Sequence, residues 1–325
     1  MSETVCCSIV DCHCDTLWLF GRDEYRFDLL NQTGHVDLPR LRLGQVVLQF
    51  FAVCTAAQKN GDSHLQQALH CLTLYERGLR NNFDHLQPLE KRQDLKEAAE
   101  KGKIACLLAL EGAEPLCGSV DLLPLFYRLG VRCISLTWNN RNCFADGCGE
   151  EISGGGLTRL GRNLVPRLGR YGILLDLAHL SQAGFRDAIE LAERPPLVSH
   201  ANAARLCEHP RNLSDEQLKL VAERGGVIGI SFYPLFITGR ETARLDQLID
   251  HFVHIASTAG INHVGIGSDF DGIPKSTDQL ADASCYPVLI EGLLKRGFNK
   301  REVALIAGEN VKRLLEQNLA GNQES

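Results

Sequence analysis

The chain has 325 residues, 44% of them hydrophobic and 23% charged, enough to bury a full core and the wrong balance for a disordered protein. That length suits one α/β barrel with insertions, so residues 1–325 are read as a single barrel domain. A formal net charge of −6 argues against a nucleic-acid or anionic-membrane surface.

Met1 to Cys7 show no basic segment followed by an apolar one. No run approaches the roughly 20 apolar residues of a spanning helix, and a cytoplasmic protein with no membrane partner is expected. The 13 cysteines are odd in number and none makes a paired C-x2-C spacing, so reduced, mostly structural thiols are expected.

Eight apolar runs read as strands, most of them separated by helical stretches: Val5–Asp15, Val46–Cys54, Ile104–Glu111, Val131–Trp138, Gly172–His179, Leu197–His200, Val227–Tyr233 and Val264–Asp269. Ser214 with Gln217, and Asn299 with Glu302, are capping boxes that open helices, and Pro195-Pro196 ends one. Alternating strands and helices imply a parallel sheet, and eight of them a (β/α)8 TIM-like barrel. Side-chain alternation in the first run puts His13 and Asp15 on one face and Cys12 and Cys14 on the other, against the helices. In the last run Gly265, Gly267 and Asp269 share the inner face, where space near the axis is short. Asn139 to Gly156, rich in glycine, is expected to form a mobile loop over the mouth; without Gly-Lys-Ser/Thr it is no phosphate cradle.

The polar residues that end these runs carry the chemistry. His13 and Asp15, Glu111, His179, His200 and Asp269 each fall on the C-terminal side of an apolar run, the edge from which a parallel barrel assembles its active site. Imidazole and carboxylate donors without thiolates suit zinc or a similar divalent ion. Five ligands exceed the needs of one catalytic zinc, so two ions per chain are expected, with Glu111 as the bridge and a bridging hydroxide formed from water whose pKa falls towards ~7. Asp269 is then placed to take that water's proton and pass it to a leaving amine. Isolated histidines such as His85 and His209 read as surface or packing residues.

Taken together, the motifs resemble the membrane (renal-type) dipeptidases and their soluble microbial relatives. The matching stretches are Asp11-Cys-His-Cys-Asp15, Asp37-Leu-Pro-Arg40, Gln49-Phe-Phe-Ala52, Leu110-Glu-Gly-Ala113, Leu136-Thr137, Asp176-Leu-Ala-His179, Ser199-His200, Arg211-Asn212, Phe232-Tyr233 and Gly267-Ser-Asp-Phe-Asp-Gly272. The resemblance implies a two-zinc barrel hydrolase of dipeptides in which His13, Asp15, Glu111, His179 and His200 bind metal. It further implies that Arg211 meets the substrate's terminal carboxylate, that Asp269 moves the proton and that Tyr233 contacts substrate. One position departs. The renal-type enzymes carry a histidine after Leu-Thr on the fourth strand, where it stabilises the oxyanion, and this chain has Trp138. Tryptophan offers one N–H and cannot become a cation, while losing an oxyanion donor can cost ~2.7–4 kcal/mol. Either a neighbour compensates or the preferred substrate differs; Leu-Thr-Trp-Asn is similar to the soluble microbial subfamily. The expected partner is a small dipeptide, with homodimerisation left open. Another amidohydrolase reaction on the same barrel (cyclic-amide opening or deamination) and a non-catalytic metal-containing binding protein are the alternatives, since fold alone does not fix chemistry.

Overall fold

The computed structural model describes residues 8–55 and 62–320, so Val5 to Cys7 of the first expected strand lie outside the described residues. Its strands are β1 (Ile9–Cys14), β2 (Val46–Cys54), β3 (Leu86–Pro88), β4 (Ile104–Glu111), β5 (Val131–Ser135), β6 (Leu174–Asp176), β7 (Leu197–Val198), β8 (Val227–Ile230) and β9 (Val264–Ile266). All pair in parallel. Pairing of β2 with β4 and of β1 with β9 closes eight of them into a barrel. The short β3 stands outside that ring. It pairs with Ile104 to Cys106 of β4, just before the stretch Leu108 to Leu110 that pairs with β5.

Every residue of β4 is buried, which is why the strand reads as an unbroken apolar run. Its two faces still differ. Ala105, Leu107 and Ala109 join an interior cluster with Val10, Leu48, Phe50, Leu174, Leu197 and Val227, whereas Ile104, Cys106, Leu108 and Leu110 pack outward in the cluster shared with the helices. The C-terminal helix Asn310–Asn318 contributes Val311, Leu314 and Leu315 to the interior cluster, and Leu319 just beyond it also joins. A Cβ on Gly265 would lie 3.2 Å from Val311, so this helix closes the end of the barrel away from the polar strand-end residues.

The division of β9 follows the sequence expectation: Val264 and Ile266 face the helices and Gly265 faces in. Strict alternation fails in β1. Val10 and Cys12 share the interior cluster, the register against β2 then shifts between Asp11 and Cys14, and Cys14 packs outside instead of following Cys12. Cys12 therefore does not pack against the helices as Cys14 does, because the bulge adds a residue where the alternation rule assumed none. Asn139 to Gly156 contains the 3₁₀ segment Cys148–Ser153 and is fastened by an Arg141–Asp146 ion pair, by Ser153 donating to Asp146, and by the Cys148 N–H donating to the His179 carbonyl at 2.7 Å. No described helix is long and apolar enough to cross a membrane.

Gly229 in β8 and Gly267 just beyond the neighbouring β9 have no room for a side chain. A Cβ on Gly267 would stand 1.8 Å from the Ser199 carbonyl oxygen and one on Gly229 would stand 2.1 Å from it. Backbone atoms cannot swing aside as a side chain can, so Gly267→Ala should destabilise the fold by about 1–3 kcal/mol, the usual cost of overpacking. Urea unfolding reads this directly; an alanine variant with the parent's midpoint would show that the barrel yields at this point.

Candidate metal centre

The hydrogen-bonded strands stop before the site begins. β6 ends at Asp176 and β7 at Val198, so His179 and His200 sit on the first residues beyond, where the backbone is free to aim side chains across the mouth. His179 (φ 70°) and Asp269 (φ 67°) are left-handed, a conformation that costs a non-glycine residue about 1–3 kcal/mol and survives where the surroundings impose it.

One oxygen organises the centre. Glu111 Oε1 lies 2.7 Å from His179 Nε2, 3.6 Å from His200 Nε2 and 3.8 Å from His13 Nε2. Asp15 Oδ2 is 3.2 Å from His13 Nε2, and the His13 and His200 rings lie 3.8 Å apart between centroids. His13, Glu111, His179, His200 and Asp269 are all buried. Among the described residues, three sets of potential ligand atoms fall within 4.8 Å of one another: His13–Glu111–His200, His13–Asp15–Asp269, and Asp15–Cys54–Glu111. Strands β1, β4, β6, β7 and β9 thus bring all six polar strand-end residues together.

Residues behind the ligands fix which nitrogen faces in. The carboxylate of Asp176 accepts from the Ser199 N–H (2.9 Å), the Ser199 hydroxyl (2.5 Å) and the Ala178 N–H (3.0 Å). With its proton given to Asp176, the Ser199 oxygen accepts from His200 Nδ1 at 2.8 Å. On the other side His179 Nδ1 donates to Asn139 Oδ1 at 2.8 Å. Both imidazoles therefore present an Nε2 lone pair to the centre, and those two nitrogens stand 2.9 Å apart. Two lone pairs so placed repel unless a cation lies between their directions. Burial, with Arg211 and His13 adding to it, holds both groups well below the usual histidine range, so protonation does not relieve the pair. The donor set fits a divalent metal, whose ligating histidines are oriented by such outer partners.

Asp11 repeats the Asp176 arrangement at the other edge. It accepts from the Ser268 N–H (2.8 Å), the Ser268 hydroxyl (2.7 Å), Gln49 Nε2 (2.9 Å) and the Tyr286 hydroxyl (2.8 Å). Ser268 precedes Asp269 as Ser199 precedes His200.

Charge at the centre follows from crowding. Burial raises the Asp269 carboxyl to about 7, Asp15 and Glu111 reinforce the rise, and His13 and Arg211 oppose it. Asp15 is raised for the same first reason, with Glu111 next to it. For His13, burial acts downward but Glu111 and Asp15 more than offset it and carry the ring to about 10. The field of these carboxylates favours a positive charge at this spot, proton or metal. Ser231 donates to Asp269 Oδ2 at 3.2 Å.

Arg211 is buried on the same rim. Its Nη2 donates to the His200 carbonyl at 3.2 Å and its guanidinium carbon lies 5.5 Å from the Phe236 ring centroid. Its backbone N–H donates to His209 Nδ1 at 3.1 Å, and the His209 ring packs on Phe236 at 4.7 Å. Among the described residues no carboxylate comes within ion-pair distance of it, an unusual state for a buried charge. A cavity of about 330 Å³ is lined by Arg211, His179, Cys148 and Glu151. Trp138 is half-buried with its ring 6.1 Å from that of His179 at an angle of 29°. Tyr233, also half-buried, meets Phe236 edge-on at 5.0 Å. Asp271 accepts from the Thr16 hydroxyl and the His35 N–H, both at 2.6 Å.

Sequence reasoning missed four residues of this constellation. Asp176 lies three residues before His179 and Ser199 one before His200, the only trace these two leave, while Asn139, forty residues from His179, leaves none. Cys54 had a clearer signal, since it ends the run Val46–Cys54 just as the ligands end theirs.

The model of the membrane dipeptidase family, peptidase family M19, matches residues 4–325. The chain is 36% identical over 332 residues to an uncharacterised dipeptidase of Schizosaccharomyces pombe, covering 94% of this chain and 79% of that protein. It is 33% identical over 296 residues to the dipeptidase tcpJ of Claviceps purpurea, covering 87% and 69%. Among solved structures, the dipeptidase AC, a metallopeptidase of family M19, superposes with a TM-score of 0.90 at 28% identity, over 98% of this chain and 100% of that one. A Rhodobacter sphaeroides metallopeptidase liganded with a phosphinate mimic of the dipeptide L-Ala-D-Ala superposes with a TM-score of 0.89 at 27% identity, over 97% and 100%. With its family's model matched along nearly its whole length, this chain belongs to the membrane dipeptidase family and is a metallo-dipeptidase.

Proposed function

We propose that this chain, as one barrel domain in the cytoplasm, hydrolyses free dipeptides, L,D-dipeptides among them, at a centre that holds two divalent ions, with zinc the expected metal. The observation that carries this reading is the pair of inward Nε2 lone pairs of His179 and His200 beside Glu111 Oε1. His13, Asp15 and Glu111 would hold one ion, and Glu111, His179 and His200 the other. Such ions act as Lewis acids and lower the pKa of water to ~7. Asp269 accepts the attacking water's proton and returns it to the amine nitrogen as the C–N bond breaks. Its carboxyl, lifted to about 7, is matched to giving and taking a proton near neutrality. Arg211, buried without a carboxylate of its own, binds the dipeptide's terminal carboxylate through the planar fork of its guanidinium. Trp138 and Tyr233 form the walls on either side, Trp138 with its indole face and single N–H. The likeness to the R. sphaeroides metallopeptidase with its L-Ala-D-Ala mimic supports the inclusion of L,D-substrates. A panel of L,L- and L,D-dipeptides assayed with metal-reconstituted protein tests the reading; hydrolysis of cyclic amides with no dipeptide cleavage would replace it.

Elemental analysis of active protein should approach two ions per chain. Chelation should abolish turnover and zinc, cobalt or manganese should restore part of it, whereas full turnover by rigorously metal-depleted protein would refute the proposal. His179→Ala and His200→Ala should each lose one ion of the two.

Asp269→Asn keeps the size of the side chain and removes its basicity. It should retain both metals and lose ~10²–10⁴-fold in kcat, the usual worth of a positioned acid–base group. A near-normal kcat would mean that another group moves the proton, and loss of metal would make Asp269 a ligand.

Arg211→Ala should reduce kcat/KM on free dipeptides by roughly 10- to 150-fold, equivalent to the ~1.5–3 kcal/mol of a hydrogen bond to a charged group, with metal content unchanged. C-terminally amidated dipeptides should be poor substrates for the unaltered enzyme. Equal cleavage of amidated and free dipeptides would remove Arg211 from substrate recognition.

A further inference from the structure

We propose that Cys54 is a sixth donor, a sulphur ligand to the ion on the Asp15 side of the centre. The proposal rests on the metal-centre reading above. Cys54 is the last residue of β2 and lies in direct register with Glu111, the last residue of β4. On its other side β2 pairs with β1, whose end leads into Asp15. Three neighbouring strands therefore deliver Asp15, Cys54 and Glu111 to one point, and Cys54 Sγ and a carboxylate oxygen of each acid lie within 4.8 Å of one another. Donor atoms around one tetrahedral zinc stand roughly 3–4 Å apart, as bond lengths of ~2.0–2.3 Å require, so side-chain rotation closes the remaining gap. The buried Nε2 of His13, 3.2 Å from Asp15 Oδ2 and 3.8 Å from Glu111 Oε1, points into this same side of the centre, and with Glu111 and His200 it forms a further set of potential ligand atoms within 4.8 Å.

Other thiols in the barrel differ in setting. Cys106 and Cys133 sit in the middle of strands and are fully buried among apolar neighbours, whereas Cys54 is half-buried at the mouth. As the metal–sulphur bond forms, the Cys54 thiol releases its proton to solvent, and nothing is oxidised or reduced. The consequence is an asymmetric centre. The side with His179 and His200 offers nitrogen and oxygen, and the side with His13 and Asp15 adds a soft donor that favours zinc or cadmium over manganese.

The test begins with metal-depleted full-length protein loaded with cobalt. The parent should show a near-ultraviolet thiolate-to-cobalt charge-transfer band, and Cys54→Ser should lose it while elemental analysis shows the same cobalt content. In a cadmium-against-manganese competition, Cys54→Ser should lower the preference for cadmium by roughly 10- to 100-fold, the range over which neighbouring groups tune a metal site. An undiminished band in Cys54→Ser, or a cobalt-loaded parent without one, overturns the proposal. A cobalt content of one per chain would refute the two-metal reading, while the band would still decide whether Cys54 holds that ion. Should Cys54→Ser misfold, alkylation of the parent decides the matter by peptide-resolved mass spectrometry. Zinc should protect Cys54 and leave the exposed Cys117 labelled as before. Equal labelling of Cys54 with and without zinc overturns the assignment.

Discussion

Two buried carboxylates hold this centre from behind. Asp11 and Asp176 each accept both the N–H and the hydroxyl of a serine on the next strand, Ser268 and Ser199, and each serine is followed directly by a residue of the site. The clamps span β1 to β9 and β6 to β7, at the points where the strand hydrogen bonds give out. Burial raises both carboxyls, and the serine donors oppose the rise by favouring the charged form. A charge removed from water needs such donors. Because the serine proton is committed to Asp176, His200 must donate from Nδ1 and offer its other nitrogen to the centre. The aim of the His200 nitrogen, and with it the attraction for a cation, descends from an interaction that lies behind the centre.

The eight barrel strands were legible because each is buried on both faces and bounded by turn residues. Their lengths were not. The expected runs Gly172–His179 and Val264–Asp269 stop as strands at Asp176 and Ile266, because a residue of the site must leave the sheet to aim across the mouth, and His179 and Asp269 do so with left-handed backbone that apolar periodicity cannot signal. β3 escaped notice since Leu86-Gln-Pro88 is three residues long and ends in proline. Cys12 was placed on the wrong face because alternation presumes an unbroken ladder, and the bulge in β1 breaks it.

Within the site, what the sequence displayed were the residues whose chemistry is strong enough to stand out alone: histidines and acids after apolar runs. Hidden were those whose chemistry comes from their partners. Asn139 is ordinary until it meets His179, forty residues later, and Ser199 is ordinary until Asp176 takes its proton. Trp138 belongs to both groups. Its place after Leu-Thr was plain, but its stacking beside His179 depends on the fastened loop that begins at the next residue. His209, read as a surface or packing residue, packs against Phe236 while its ring accepts the Arg211 backbone N–H, and so fixes the main chain that carries the buried guanidinium.

The barrel is closed by its two ends. β1 is among the first described residues, yet one of its neighbours in the ring is β9, and the interior beneath both is covered by side chains from Val311 to Leu319. During synthesis β1 must therefore wait, with one edge unpaired and its apolar faces uncovered, until β9 and the residues from Val311 to Leu319 have left the ribosome. Contacts of such long sequence separation are slow to form and leave a growing chain exposed to wrong pairings. The extra residue that β1 carries between Asp11 and Cys14, in its pairing with β2, bends the strand that must wait, the kind of feature by which natural sheets discourage pairing with strangers.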